Sequence, residues 1–280
     1  MTAVREYESV SDLLDAALAP CSLADRYRAS ITGTAEFTDT QTLDEAIELA
    51  RRGWDGGTAE IDRLRVQIDE LMRGSVATPD IRFTYVGPGI HMGRFMQGRP
   101  DCRVKIVDSA ITRDAARPRI IHIVANISAS GAVSPQTILR RGAALIVAID
   151  TLERRRIRCR VTLSHTTGNR LNTPDVIETR LLVKSESEHV SLDKLAYFLG
   201  HASALRRIMF AIREHEDDAT RAQFGLGADK GGYGIPAESP NQGDLYLGRI
   251  LTTTDWSEDL TFAWLRKTLT EQGLIIEVKQ

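Results

Sequence analysis

The chain has 280 residues, a formal net charge of −2 and 42% hydrophobic residues. This length predicts one large domain or two smaller ones with a substantial core, and the near-neutral charge argues against a protein that coats nucleic acid. No apolar run approaches the ~20 residues of a membrane-spanning helix, and the start of the chain lacks the features of a signal peptide.

Three cysteines are spread along the chain, Cys21, Cys102 and Cys159, and they match no metal-binding spacing. Isolated cysteines of this kind are typical of reduced thiols in the cytosol. We therefore expect a cytoplasmic protein that has no membrane partner.

Residues 1–78 predict an N-terminal helical region. Helical periodicity covers residues 8–18, 42–52 and 58–72. Thr42 and Glu45 have the spacing of a capping box, and Gly53 provides a stop for the second helix. Trp54 follows among glycines, where we expect it to anchor a helical hairpin, with a recognition loop as the alternative.

Residues 79–118 predict a mixed connection of strands and loops. Strands are expected at 81–86 and 104–107, on either side of a short helix within 90–96. The glycine-rich stretch RFTYVGPG lacks the Gly-Lys-Ser/Thr of a phosphate-binding loop.

Residues 119–280 predict an α/β unit. An apolar run at 120–127 is followed by N-I-S-A-S, a long amphipathic segment and a second β-rich run at 157–163. This pattern predicts a right-handed βαβ crossover in a mostly parallel, Rossmann-like sheet flanked by helices. We expect strand 120–127 to be fully buried between strands 157–163 and 244–251. Hydroxyl residues at its carboxyl end lie where open α/β sheets bind ligands.

The remaining elements follow from periodicity and turn signals. Residues 176–184 alternate as an antiparallel partner or an edge strand, and 192–215 predict one long helix in which His201 and Arg206 line a pocket or face water. Residues 224–243 form a long loop that is expected to be functional or mobile. A helix at 256–272, capped by Asp255, and a strand at 274–278 end the pattern.

The order strand, N-I-S-A-S, helix, short strand resembles the opening of von Willebrand factor A-type (vWA) domains, and most closely their intracellular branch, which includes metal-chelatase subunits. The chain also resembles uncharacterised proteins of actinobacteria and their phages or plasmids, a resemblance that implies no activity. The vWA family pattern D-x-S-x-S binds a divalent cation. The resemblance places Ser128 and Ser130 at the two hydroxyl positions and Asn126 at the aspartate position. An amide brings no charge, so it implies weak binding.

The predicted metal site consists of Asn126, Ser128, Ser130 and Asp255, which suit Mg²⁺ or Ca²⁺ better than zinc. We expect either no cofactor or one of these ions weakly bound. The alternative is that Asp255 is a helix N-cap and that the serines satisfy backbone donors in a turn, so that the site binds protein without metal.

The predicted partner-binding residues are Ser187, His189, Tyr233, Arg155 and Arg156. Ser187 follows a strand end and is expected to face the same crevice as Ser128. Tyr233 stands between glycines in what is either a binding loop or a packed turn. The arginine cluster at 154–160 ends a predicted helix, where basic side chains are favourable without any ligand, and contact with phosphates is the alternative.

Three functions compete. The first is a non-enzymatic, vWA-like protein-interaction or assembly module. The second is a hydrolase or nucleotide-processing enzyme that uses the crevice, with His165 or His189 as base near Ser128 or Ser130. The third is a nucleic-acid accessory factor acting through the arginine cluster. A perturbed histidine in a deep pocket favours the enzyme, whereas a flat, hydroxyl-rimmed face favours the module. We expect a protein partner, keep nucleic acid as an alternative, and find no sequence feature that sets the oligomeric state.

Overall fold

A computed structural model describes residues 2–75, 80–107, 119–226, 232–272 and 274, without the side chains of 72–75, 80–81 and 106–107. The strands are β1 (Thr2–Tyr7), β2 (Asp80–Thr84), β3 (Gly89–Ile90), β4 (Arg103–Val107), β5 (Arg119–Asn126), β6 (Ile157–Gly168), β7 (Val176–Lys184), β8 (Ile235–Pro236) and β9 (Leu245–Leu247).

The α-helices are α1 (Val10–Leu18), α2 (Ala29–Thr32), α3 (Ala35–Thr38), α4 (Leu43–Arg52), α5 (Thr58–Ser75), α6 (Met92–Met96), α7 (Pro135–Arg154), α8 (Leu192–Gly200), α9 (Phe210–Glu214), α10 (Asp218–Phe224) and α11 (Glu258–Glu271). Single turns of 3-10 helix occur at Asp25–Tyr27 and Thr253–Trp256, and a π-helix occupies Ala204–Met209.

The central six-stranded sheet has the order β1-β7-β6-β5-β9, and β8 pairs with β6. Strand β5 is parallel to both β6 and β9, and β1 is parallel to β7, whereas β6 and β7 are antiparallel. Helix α7 connects β5 to β6, as the predicted crossover requires. The predicted mostly parallel α/β sheet flanked by helices is therefore confirmed.

The two faces of β5 differ. Ile121 and Ile123 belong to the hydrophobic core together with α7, whereas Ile120 is 58% exposed and His122 is half-buried on the opposite face. The prediction of a fully buried strand is therefore wrong at its beginning. Side chains alternate between the faces of a sheet, and an apolar run does not reveal that one face of this strand meets solvent at its start.

The predicted N-terminal helical region contains a strand that the sequence analysis missed. Residues 2–7 form β1 and pair in parallel with β7, Thr2 opposite Val176 and Tyr7 opposite Leu181. Strand β7 is antiparallel to β6, as predicted. Because β1 pairs with its other side, β7 is not at the edge of the sheet. Leu13 and Leu64 lie in the same hydrophobic core as Ile123, so the N-terminal helices pack against the sheet.

Most local signals in the N-terminal region behave as predicted, but the capping box is only half formed, because Glu45 Oε2 accepts from Gln41 N and not from Thr42 N. The Thr42 hydroxyl accepts a hydrogen bond from Glu45 N at 3.1 Å and caps α4, which ends at Gly53, where φ is +89°. Trp54 N donates to Asp193 O at 3.0 Å, and its indole meets the His201 ring edge-on at 4.6 Å. Trp54 thus anchors the turn between α4 and α5 to α8.

The predicted long helix at 192–215 is interrupted. Helix α8 ends at Gly200, His201 is extended (φ −94°, ψ 131°), and the chain resumes as a π-helix and then α9. The imidazole Nδ1 of His201 accepts from Ser203 N at 3.2 Å, which stabilises the break. Gly142 of α7 faces this helix end, and a Cβ there would lie 2.5 Å from Leu199 O.

Residues 80–107 form a separate three-stranded antiparallel sheet of order β2-β4-β3 with the short helix α6, which confirms the predicted strands and helix. The predicted connection at 108–118 and the final strand at 275–278 lie outside the described residues. In the part of the chain that the structure describes, every helix is too short or too polar to cross a membrane.

Candidate functional site

The loop after β5 is stabilised by its own polar side chains. Asn126 is fully buried. Its Oδ1 accepts from Ser128 N at 3.1 Å, and its Nδ2 donates to Ala237 O at 2.8 Å and to the Tyr246 hydroxyl at 3.1 Å. The Ser128 hydroxyl donates to Thr166 O and accepts from Thr166 N, both at 2.8 Å. These side chains attach the loop to β6 and to the segment before β9.

Three of the four residues of the predicted metal site use side-chain oxygens in hydrogen bonds within the protein. The oxygen of Asn126 and the hydroxyl of Ser128 are engaged as described. The Asp255 carboxylate accepts from Leu251 N at 3.1 Å and Thr252 N at 3.0 Å in a capping box. Ser130 N donates to Ile250 O at 2.9 Å. The described residues contain no group of three or more His, Cys, Asp or Glu side chains that could hold a metal.

A cavity of about 370 Å³ opens at the carboxyl ends of β5 and β6. We call it the crevice cavity. Its wall combines the loop after β5, the end of β6, the π-helix and the segment around β8: Ala29, Phe37, Ser128, Ala129, Ser130, Gly131, His165, Thr167, Leu205, Arg206, Phe210, Gly232, Tyr233, Gly234, Ile235 and Pro236.

Aromatic rings form one side of the crevice cavity. Phe210 and Tyr233 stack with ring centroids 3.9 Å apart and planes 6° apart. The ring centroids of Phe37 and His165 lie 6.4 and 6.5 Å from that of Phe210. These rings make this part of the wall aromatic and apolar.

His165 is completely buried in the cavity wall. Burial lowers the pKa of its imidazole well below the ordinary value, and the nearby positive charge of Arg213 lowers it further. The imidazole is therefore neutral at pH 7. Among the described residues, neither His165 Nδ1 nor Thr167 Oγ1 has a hydrogen-bond partner. Buried polar atoms are normally paired with protein, ordered water or a ligand.

Arg206 brings a positive charge to the same cavity. It is 1% exposed, and burial lowers its pKa to about 10, so the guanidinium stays charged at neutral pH. It donates to Phe37 O at 2.7 Å, Val133 O at 2.5 Å and Ser130 O at 3.4 Å, and it lies 4.0 Å from the Phe37 ring centroid. Of the two predicted environments for Arg206, the structure therefore shows the pocket.

Tyr233 is packed into the protein. Its hydroxyl donates to Glu214 Oε1 at 2.6 Å and accepts from Ala29 N at 2.7 Å, and burial raises its pKa. Glu214 is held in turn by Arg28 at 3.1 Å. The structure thus places Tyr233 in the wall of the crevice cavity, which agrees with the packed-turn alternative.

The other predicted partner-binding residues lie at the opposite edge of the sheet. Because β7 is antiparallel to β6, with Lys184 opposite Val161, its end is remote from the carboxyl end of β6. Ser187 and His189 follow that end and are exposed. Placing Ser187 in the crevice with Ser128 was therefore wrong. Arg155 and Arg156 follow α7, which runs back to the start of β6, and are exposed at that same opposite edge.

The arginine cluster is largely neutralised by carboxylates. Arg154 pairs with Asp150 at 2.8 Å, Arg158 with Glu153 at 2.9 Å, and Arg160 with Glu186 at 3.4 Å. Such pairing reduces the attraction of this surface for phosphates.

Sequence reasoning missed Phe37 and Phe210, which form the aromatic side of the crevice cavity. Phe210 falls within the predicted long helix at 192–215, where only His201 and Arg206 were considered as pocket residues. Phe37 lies in a segment without clear periodicity, and its only local signal is the sequence T-A-E-F-T after Gly33. Which helix faces a strand end depends on tertiary packing, which periodicity does not report.

Comparison with curated proteins found no match, and comparison with solved structures found none. A family model described as a domain of unknown function, DUF7192, matches residues 1–276. The match covers nearly all of the chain, which therefore belongs to the DUF7192 family.

Proposed function

We propose that this protein binds a small organic molecule in the crevice cavity. The observation that carries the proposal is a cavity of about 370 Å³, with buried polar atoms of His165 and Thr167 in its wall that have no partner among the described residues. Small-molecule sites typically enclose ~300–1,000 Å³, are mostly apolar and contain a few directed polar groups. They occur preferentially at the carboxyl edge of open α/β sheets.

The geometry supports binding better than serine hydrolysis. A serine–histidine mechanism needs the hydroxyl within hydrogen-bond reach of the imidazole. The Ser128 hydroxyl instead bonds to the backbone of Thr166. His165 offers a neutral ring nitrogen, which suits recognition of a ligand hydrogen-bonding group.

Filling the cavity tests the proposal. Gly131 lines it, and a Cβ there meets nothing within 4 Å, so the Cβ of Gly131→Phe causes no clash and its ring adds bulk to the lining. The probe is 1-anilinonaphthalene-8-sulfonate, whose fluorescence rises in apolar sites. We expect saturable binding to the wild type, loss of binding in Gly131→Phe, and unchanged binding in Ser187→Phe, which adds the same ring at the opposite edge.

Both variants must retain the thermal unfolding temperature of the wild type within a few degrees, because an unfolding protein also binds this dye. Equal dye binding by folded Gly131→Phe and wild type would contradict the proposal.

We also propose that residues 119–280 are a vWA-like unit without a functional cation site. The order of elements supports the likeness, and the engaged oxygens of Asn126, Ser128 and Asp255 support the loss of the cation.

A second candidate function is contact with an acidic protein partner through residues 80–107. Seven large apolar side chains are exposed between positions 83 and 96, with Val86 at 84% and Met96 at 79%: Phe83, Tyr85, Val86, Ile90, Met92, Phe95 and Met96. Residues 80–107 contain five Lys or Arg and two Asp, a net charge of +3. Exposed apolar groups close together are typical of interaction sites.

Cross-linking and pull-down from the host would test this contact. We expect an acidic protein to be recovered by the wild type at low salt and lost in Val86→Ser/Met96→Ser, because that variant removes the apolar anchors. Recovery that is unchanged by the substitutions and by high salt would contradict it.

A further inference from the structure

We propose that the ligand of the crevice cavity is a small organic anion that carries a planar group, with its negative charge near Arg206 and Ser130 and its planar group against Phe210 and Tyr233. This inference rests on the proposed function and adds the chemical class of the ligand.

The first argument is the charge of the wall. Among the described residues that line the crevice cavity there is no Asp or Glu, and Arg206 brings a positive charge. Within the described part of the chain, Arg206 forms no salt bridge, and its three hydrogen bonds go to carbonyl groups. A buried charge is costly unless it is paired, so an anion in the adjacent cavity would stabilise Arg206.

The second argument is another buried cation behind the wall. Arg213 is 1% exposed, and its Nη2 donates to His165 O at 2.7 Å and Ile177 O at 3.0 Å. Its Nε and Nη1 have no partner among the described residues. The carboxylates that act electrostatically on Arg213, Glu216 and Glu178, already pair with Arg5 and Arg180. Arg213 therefore adds to the positive potential at His165.

The third argument for an anionic ligand is the position of helix α7. This 20-residue helix begins at Pro135, directly after the loop whose residues Ser128 to Gly131 line the cavity. The N-terminus of a helix carries a partial positive charge and favours anions. The N-terminus of α7, Arg206 and Arg213 thus all make the electrostatic potential at the cavity more positive.

The planar part of the ligand follows from the aromatic rings in the wall. Phe210 and Tyr233 stack, and Leu205, Ile235 and Pro236 line the cavity with them, so this part of the wall is apolar. The Nδ1 of His165 has no partner among the described residues and can bond to a polar group of the ligand.

Two probes of nearly the same shape but different charge test the inference. Benzoate and benzamide have nearly the same shape, but only benzoate is an anion. Affinities come from displacement of 1-anilinonaphthalene-8-sulfonate and from chemical-shift changes of His165. We expect benzoate to bind at least about tenfold more tightly than benzamide, the factor that corresponds to 1.4 kcal/mol.

Variants locate the source of the preference. In Arg206→Met, the preference for benzoate should fall to about twofold or less while benzamide affinity is retained; a factor of two corresponds to about 0.4 kcal/mol. If this variant does not fold, Arg206→Gln offers the same test, because it removes the charge and keeps an amide that can donate to the neighbouring carbonyl groups. Binding of benzoate should also raise the pKa of His165, because the anion stabilises the imidazolium.

The outcomes separate this inference from the proposed function. Equal affinities for benzoate and benzamide would overturn the anion assignment and leave ligand binding intact. If neither compound displaces the dye and Gly131→Phe binds it as the wild type does, the proposed function itself fails.

Discussion

Four buried arginines show how single residues organise this protein. Arg207 donates to the carbonyls of Ser30, Gly33 and Thr40 at 2.8–2.9 Å, and Arg141 donates to Asn126 O at 2.6 Å. Arg206 and Arg213 also bond to carbonyls. Arg206 and Arg207 thus attach segments that lack regular backbone pairing, and Arg141 and Arg213 attach helices to the sheet. This use of arginine explains why these residues lie in helices that are otherwise apolar.

The burial of His165 makes folding stability depend on pH. Its folded-state pKa is lowered by burial and by Arg213, so below the unfolded value of ~6.5 only the unfolded chain takes up the proton. Above pH 6.5 the titration of His165 therefore does not change the free energy of unfolding. Below pH 6.5 the free energy of unfolding falls as the pH decreases. Between pH 7 and 5.5, we expect the wild type to lose about 1 kcal/mol more than His165→Gln in urea unfolding. Parallel losses in both proteins would contradict the assignment.

The loop after β5 predicts weak metal binding. The oxygens of Asn126 and Ser128 are engaged in the loop, so we expect Mg²⁺ and Ca²⁺ to bind no more tightly than about 1 mM by titration calorimetry. Asn126→Asp adds charge and should strengthen whatever binding exists. Sub-micromolar affinity of the wild type would show that the loop rearranges around the ion.

At the scale of elements, β5 provides a matched pair of substitutions. Ile123 is fully buried and Ile120 is 58% exposed on the same strand. We expect Ile123→Ala to lower the free energy of unfolding by about 2–4 kcal/mol through lost burial and a cavity. Ile120→Ala should change it by less than about 0.5 kcal/mol. Equal effects in denaturant unfolding would mean that both faces of the strand are covered.

The contact of α7 with the end of α8 depends on Gly142. An added Cβ would lie 2.5 Å from Leu199 O, whereas at Gly131 it would meet nothing within 4 Å. We expect Gly142→Ala to destabilise the protein by about 1–3 kcal/mol, because the two helices must separate. Gly131→Ala serves as the control, and its thermal unfolding should match that of the wild type.

The βαβ unit was predictable because its signals are local. The apolar run of β5, the Ser134–Pro135 start of α7 and the second β-rich run each lie within a short window. The antiparallel direction of β7 was predicted as well. That direction places Ser187 at the edge of the sheet opposite the crevice, which the prediction for Ser187 did not take into account. Strand β1 was missed because TAVREY has weak alternation and its partner lies far along the chain. The break at His201 was missed because it depends on side-chain contacts with Ser203.

For the whole molecule, a shared core predicts cooperative unfolding. Leu13 and Leu64 pack in the same cluster as Ile123, so the N-terminal helices and the sheet should unfold together. With Trp256 and Trp264 replaced by Phe, Trp54 fluorescence reports the N-terminal helices. We expect its urea transition to coincide with that of far-UV circular dichroism. An earlier Trp54 transition would support the predicted boundary near residue 78.

The parallel pairing of β1 with β7 constrains how the chain folds during synthesis. Thr2 lies opposite Val176, so β1 leaves the ribosome long before its partner exists. Parallel pairing over such a separation closes a long loop and is slow. Folding from the N-terminus, which is usual during synthesis, can form the first helices but cannot complete this sheet. Residues 2–7 therefore remain unpaired until residues 176–184 have emerged. During that interval the unpaired strand is exposed to pairing with other chains.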